Sequence, residues 1–301
     1  MNKKNVVTKL EDCNIFVQTN INISEYTSFK IGGNADYLVK PKNFTEFVCT
    51  INIANDENVN YYIIGNGSNM LISDNGYRGM IILTSNLNEI VLIDENLIEC
   101  YAGVTVANLC KFAFENSLSG LEFAWGIPGS VGGGVYMNAG AYGGEFKDAI
   151  KSCKYINEDG KLEEMDVLGM DMSYRHSFFT DKKLLIMSVM FKMSKAEQSS
   201  IKEKMDDYIT RRKTKQPLEY PSCGSTFKRP LNGYASALIE ECGLKGCRIG
   251  GAEVSTKHSG FIINVKKATC KDVLELVAHV KSVVLEKKGI ELECEVKTLG
   301  L

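Results

Sequence analysis

Trp125-Gly126-Ile127-Pro128-Gly129-Ser130-Val131-Gly132-Gly133-Gly134, continuing to Asn138-Ala139-Gly140-Ala141-Tyr142-Gly143-Gly144, is the stretch on which the fold reading turns. Residues 126–144 hold eight glycines and no Lys, Arg or His. So much glycine costs chain entropy, and the expected return is close approach of the backbone to a bound group. No lysine follows the glycines, which excludes a P-loop. A glycine-rich crossover packed under a sheet is the competing structural explanation.

Upstream, Ile64-Gly65-Asn66-Gly67-Ser68-Asn69 follows the β-rich run Tyr61-Tyr62-Ile63-Ile64. Glycines at i and i+2 let backbone N–H groups converge on an anion, with Ser68 and Asn69 adding donors suited to a pyrophosphate. The same residues suit a Gly/Asn hairpin turn, which the fingerprint alone favours. The third glycine of G-x-G-x-x-G is missing and no helix is expected next, so this is not a Rossmann site. Taken together, the two segments read as backbone cradles for one large anionic cofactor.

Around them the pattern is α+β. Asn43 caps a helix with Glu46 at N3 and Phe44, Phe47, Val48 and Ile51 at helical spacing, and strand-like runs follow at 80–84, 89–93 and 97–102. Thr105 caps a helix bearing Val106, Leu109, Cys110, Ala113 and Phe114, stopped near Gly120. Strand-like runs at 152–157, 162–167 and 184–193 precede a charged helix over 199–213, then a short helix over 234–242. The last helix opens at Thr269 with Asp272 as a capping box, and Val273, Leu276, Val277, Val280, Val283 and Val284 form its buried stripe. A domain boundary is expected near 195–215.

Composition narrows the function. The chain has 301 residues, 35 Lys+Arg against 37 Asp+Glu, so the net charge of −2 lacks the basic excess of a phosphate-neutralising nucleic-acid binder. No run approaches the roughly 18 apolar residues of a membrane helix. Residues 1–5 have the basic start of a signal peptide without an apolar core behind it, so a cytoplasmic location is expected. Ten cysteines lack C-x-x-C or zinc-finger spacing and read as mostly reduced thiols, with no metal site.

Three further residues could carry chemistry. Arg175, in Tyr174-Arg175-His176-Ser177, could hold a carboxylate bidentately, although most arginines are merely solvated. Ser225 follows Gly224 and precedes Lys228 and Arg229, a setting where a hydroxyl could serve a substrate. Glu295 lies in Glu291-Leu292-Glu293-Cys294-Glu295-Val296, whose alternation puts three glutamates on one strand face, a solvent-facing edge being the default. A Ser-His-Asp triad is unattractive because G-x-S-x-G is absent; His279 reads as structural.

Read in order, Tyr26-Thr27-Ser28-Phe29-Lys30-Ile31-Gly32-Gly33, Gly65-Asn66-Gly67-Ser68-Asn69, Gly126-Ile127-Pro128-Gly129-Ser130-Val131-Gly132-Gly133, Met137-Asn138-Ala139-Gly140-Ala141-Tyr142-Gly143, Tyr174-Arg175, Gly224-Ser225-Thr226-Phe227-Lys228 and Gly251-Ala252-Glu253-Val254-Ser255 resemble the UDP-N-acetylenolpyruvoylglucosamine reductase family of bacterial peptidoglycan synthesis. The chain is similar to the shorter subtype, which lacks an inserted tyrosine loop. The family's Glu-Pro-Glu tail appears as Glu293-Cys294-Glu295, so a rigidifying proline is gone.

The resemblance implies an FAD-binding domain of the vanillyl-alcohol oxidase (PCMH) type over 1–195, with subdomains of about 1–84 and 85–195. A smaller α+β substrate domain over 196–301 would follow, its last strand, about 290–301, returning to the flavin site. It implies hydride passing from NADPH to non-covalently held FAD, then to UDP-N-acetylglucosamine enolpyruvate, giving UDP-N-acetylmuramate. Arg175 would stabilise the enediolate, Glu295 would assist with a carboxyl pKa raised by burial, and Ser225 would give the proton. Ile64, Gly65, Asn66, Gly67, Ser68, Asn69, Pro128, Gly129, Ser130, Gly132, Gly133, Asn138, Ala139 and Gly140 are the expected cofactor contacts. Lys215, Gln216, Lys228 and Asn264 are the expected grip on UDP. A UDP-sugar binder without turnover, and another oxidoreductase of the same flavin fold, are the alternatives.

Overall fold

Apolar residues along Leu185–Lys192 bury on both faces of the strand, and such a strand belongs in the middle of a sheet. The computed structural model, which describes residues 3–301, places it third of five in an antiparallel sheet. The order is Leu162–Asp166, Ile150–Ile156, Leu185–Lys192, Leu97–Tyr101, Ile90–Asp94. The charged strand Leu162–Asp166 closes one edge, where carboxylates discourage pairing with other chains. The expectations for Met1 and Asn2 lie outside the described residues.

The chain divides into two units interleaved in sequence: Met1–Thr19 with Tyr37–Asn66 and Gly79–Arg212, and Asn20–Asp36 with Gly67–Arg78 and Lys213–Leu301.

The first unit holds the five-stranded sheet and the parallel pairing of Tyr61–Ile64 with Met80 to Leu83. Its helices are α1 (Lys3–Asp12), α2 (Phe44–Asp56), α3 (Val106–Glu115), α4 (Val131–Tyr136) and most of α5 (Gln198–Lys215). Asn43 Oδ1 accepts from Glu46 N at 3.0 Å and Thr105 Oγ1 from Asn108 N at 3.1 Å, so both caps fall where the sequence predicts them. Phe146 is fully buried and meets Phe123 and Phe191 edge to face, at 6.5 and 5.9 Å between ring centroids.

In the second unit, α6 (Ala235–Glu241) and α7 (Cys270–Lys288) accompany a three-stranded antiparallel sheet of Arg248–Ile249, Ala252–Val254 and Ile262–Asn264. The capping box of Thr269 and Asp272 forms as predicted, and Gly289 closes α7 in the left-handed conformation at φ 67°. The sequence did not announce a second anchor: Asp74 accepts from Cys270 N at 2.8 Å and Lys271 N at 3.0 Å. Val273, Leu276, Val277, Val280 and Val284 bury as a stripe, with Val283 half-buried beside them. His279, read as structural, stands exposed. Met70–Ile72, directly after the 65–69 loop, pairs in parallel with Lys297–Leu299. Residues 291–296 form only an isolated bridge at Cys294 rather than a regular strand. Among the described residues no helix is long and apolar enough to cross a membrane.

Candidate active site

The glycine-rich segment begins as an extended piece laid along residues 102–106. Val106 N donates to Gly129 O at 3.0 Å, Val131 N to Val104 O at 2.8 Å and Gly132 N to Ala102 O at 2.8 Å. It then turns into α4, capped by Ser130 Oγ, which accepts from Gly133 N at 3.3 Å. A helix through three consecutive glycines runs against propensity, and packing explains it. A Cβ on Gly134 would stand 2.5 Å from the Phe146 ring, and one on Gly132 would stand 2.9 Å from Ala102 Cβ. Gly140 and Gly144 are likewise pressed against protein atoms. Part of the glycine content thus serves internal packing, which is the competing structural explanation. Gly133 meets nothing nearer than Ser130 Oγ at 3.4 Å.

Two elements converge on Ser130. A Cβ on Gly65 would meet Ser130 Oγ at 2.1 Å, and it would stand 3.9 Å from Thr84 Oγ1, a buried hydroxyl without a hydrogen-bond partner. Ser130 thus fills the space beside Gly65, whereas the unpartnered Thr84 hydroxyl and the uncrowded Gly133 fit a large group held by main-chain and hydroxyl contacts. In this unit Ile64, Gly65, Asn66, Pro128, Gly129, Ser130, Gly132, Gly133, Asn138, Ala139 and Gly140 are the expected cofactor contacts.

Asn138 joins this segment to Arg175. It is fully buried at φ 42°; its amide donates to Ser173 O at 2.9 Å and Glu145 Oε2 at 3.0 Å, while Oδ1 accepts from Lys147 N at 3.1 Å. Ser173 and His176 exchange backbone hydrogen bonds of 3.1 and 3.2 Å, a tight turn that presents Tyr174 and Arg175, the latter at φ 55°. Lys147 donates to Glu145 at 2.7 Å. That bond holds the Glu145 carboxyl below the usual carboxylate range, with smaller contributions from Asn138 and the charge on Arg175. The sequence reading missed Glu145, whose one signal is its place after the Tyr142-Gly143 turn. Both turn residues have positive φ, as a two-residue hairpin between Gly140–Ala141 and Gly144–Glu145 requires. Tyr142 stacks on Tyr208 of α5 at 4.6 Å, and the Arg212 guanidinium lies 5.8 Å from the Tyr142 ring.

The second unit carries Gly67, Ser68, Asn69, Lys215, Gln216, Ser225, Lys228, Asn264 and Glu295. Gly67 sits at φ 59°, where a Cβ would come within 2.2 Å of Tyr26 O. Ser225 and Glu295 are brought together through their backbones. Phe227 bridges Cys294 in an antiparallel ladder, Lys228 N donates to Glu293 O at 2.9 Å, and Glu295 N donates to Thr226 O at 2.8 Å. Asn69 adds a bond from its amide to Glu295 O at 3.3 Å. Thr226 N in turn donates to Gly260 O at 2.8 Å, and Thr226 Oγ1 accepts from Ile262 N at 3.0 Å, so this ladder is tied to the three-stranded sheet. Ser225 Oγ donates to Phe227 O at 3.3 Å, a long bond easily exchanged for another acceptor.

The expected UDP grip is dispersed in character. Lys215 is exposed at the end of α5 and Lys228 is ion-paired with Glu293. Asn264 is buried, its amide donating to Phe29 O at 3.1 Å and its Oδ1 accepting from Ala268 N at 2.8 Å. Among the described residues no cluster of His, Cys, Asp or Glu could hold a metal ion.

Residues 216–299 match the C-terminal domain of UDP-N-acetylenolpyruvoylglucosamine reductase, and residues 35–166 match the FAD binding domain. The UDP-N-acetylenolpyruvoylglucosamine reductase of Clostridium novyi (strain NT) is 45% identical over 284 residues, 94% of this chain and 92% of the relative. That of Streptococcus pneumoniae (strain 70585) is 46% identical over 291 residues, 97% of this chain and 96% of the relative. The crystal structure of UDP-N-acetylenolpyruvylglucosamine reductase from Thermus caldophilus superposes with a TM-score of 0.80 at 31% identity, covering 95% of this chain and 99% of that one. A variant of berberine bridge enzyme shares the fold alone, with a TM-score of 0.53 at 15% identity over 64% of this chain and 44% of that one.

Proposed function

This chain belongs to the UDP-N-acetylenolpyruvoylglucosamine reductase family of FAD-dependent oxidoreductases, and we propose that it reduces UDP-N-acetylglucosamine enolpyruvate to UDP-N-acetylmuramate with NADPH, in the cytoplasm, for peptidoglycan precursor synthesis. The observation that carries the proposal is the ladder that fixes Ser225 beside the segment of Glu295, with Asn69 bonded to that same segment.

FAD, when bound, supplies two-electron transfer from NADPH to the methylene carbon of the enolpyruvyl ether. The backbones of 64–69 and 128–133, with Asn138, Ala139 and Gly140, would hold it without a covalent bond. In the proposal, 1–195 carries this cofactor and 196–301 the sugar nucleotide, gripped by Lys215, Gln216, Lys228 and Asn264.

Reduction at the methylene carbon drives negative charge into the substrate carboxylate. Arg175 meets that charge with a planar fork of donors on a turn that Asn138 holds in place. Ser225 releases its bond to Phe227 O and gives its proton to the neighbouring carbon; a hydroxyl suffices because an enediolate carbon is strongly basic. Glu295 assists by donating a hydrogen bond as charge grows, which requires its carboxyl to be protonated.

The test is a visible absorption spectrum of the purified protein, taken as isolated, after NADPH without oxygen, and after the enolpyruvyl UDP-sugar. A yellow protein that bleaches with NADPH and recovers with the sugar supports the proposal. Protein that stays colourless after reconstitution with FAD would overturn it, and bleaching without recovery would point to a flavoenzyme acting on another substrate.

A further inference from the structure

Cys13 and Cys49 lie 2.8 Å apart at sulfur, the Cys49 thiol donating to Cys13 Sγ across 36 residues of sequence. A disulfide bond is about 2.05 Å long, so a small approach of the two sulfurs would close one. Packing on both sides holds them in register. Val6, Leu10 and Ile15 around α1 share one core with Phe47, Ile51 and Ile53 of α2. Asn5 Nδ2 donates to Glu57 Oε1 at 2.6 Å and Lys9 Nζ pairs with the same oxygen at 2.6 Å, fastening α1 to the end of α2. Asn14, at φ 57°, turns the chain directly after Cys13.

From this geometry we infer that Cys13 and Cys49 are a modification site, a dithiol that a low-molecular-weight disulfide converts into an intramolecular disulfide locking α1 onto α2. Cys13 is exposed and is the sulfur an oxidant reaches; Cys49 is half-buried. Burial, and then its bond to Cys13, push the Cys49 thiol up to about 11, so it keeps its proton until the second step. In the first step the Cys13 thiolate attacks the disulfide, forming a mixed disulfide and expelling one thiolate. In the second, Cys49 sulfur attacks Cys13 sulfur, its proton passing to solvent, and the second thiolate leaves. Two protein thiols are oxidised and one external disulfide is reduced to two thiols. Cys100, Cys110, Cys153 and Cys223 are buried, and burial raises their thiols, so they do not compete.

The full-length protein is treated with oxidised glutathione under native conditions and mapped by non-reducing peptide mass spectrometry, with Cys49→Ser alongside. The wild type is expected to lose two free thiols as a single Cys13–Cys49 cross-link, to melt at a higher temperature, and to revert with dithiothreitol. Cys49→Ser is expected to retain glutathione on Cys13, since nothing resolves it. Unchanged thiols, cross-links elsewhere, or a glutathione adduct that persists on Cys13 in the wild type would each overturn the assignment.

Discussion

The backbone N–H of Glu295 donates to the carbonyl of Thr226 at 2.8 Å, which sets the acid one residue across a ladder from Ser225. The flanking bonds of that ladder use Lys228 N and Glu295 N, leaving the Cys294 N–H outside both.

Asn138 ties the turn bearing Arg175 to the glycine-rich segment. Asn138→Ala removes one of the two donors to the Ser173 carbonyl, strands the Lys147 amide and puts alanine at φ 42°. The expected cost is about 2–4 kcal/mol, with a fall in kcat as the Arg175 turn loosens. Denaturant unfolding beside steady-state kinetics measures both; full activity would show that the turn holds itself.

Gly65 and Ser130 compete for one space. Gly65→Ala is expected to destabilise by about 1–3 kcal/mol and to weaken FAD retention, because the new Cβ would overlap Ser130 Oγ. Adding Ser130→Ala removes that oxygen and should recover part of the loss, although it also deletes the α4 cap. Strict additivity in the double-mutant cycle would contradict the contact.

How much of this was readable in the chain depends on how local the signal is. Asn43, Thr105 and Thr269 announce their helices because a cap and the stripe behind it lie within a few residues. Helix α4 could not be read that way: three glycines argue against helix, and only Phe146 and Ala102, brought in by tertiary packing, explain it. Phe29, Ile31 and Leu71 pack with the stripe of α7, yet nothing in their own segments marks residues 20–36 and 67–78 as part of the second unit. Arg175, Ser225 and Glu295 stand out by residue type and setting, and their roles are legible only through family motifs. Asn138 was named as a cofactor contact, and its bonds to Ser173, Glu145 and Lys147 could not be, since amide partners leave no pattern in sequence.

His258 makes the second unit sensitive to acid. Burial holds its imidazole below the usual value, and neutral Nδ1 accepts from Gly260 N at 3.2 Å, next to the carbonyl that anchors Thr226. A depressed folded value contributes stability above the unfolded pKa of about 6.5, and that stability is lost as pH falls through the folded value. The melting temperature should therefore drop below about pH 6.5, and His258→Asn should flatten the drop. An unchanged slope in that variant would remove His258 from the account.

Arg175→Lys keeps the charge and loses the planar fork. The expected fall in kcat/KM is about 10²-fold with melting unchanged. Wild-type turnover in this variant would count against a carboxylate clamp.

The most direct measurement follows the flavin absorbance of Ser225→Ala through the two halves of the reaction. The variant is expected to bleach with NADPH at the wild-type rate and then to stay bleached when the enolpyruvyl UDP-sugar is added without oxygen. Recovery of colour at the wild-type rate would contradict proton donation by Ser225 and the site built around it.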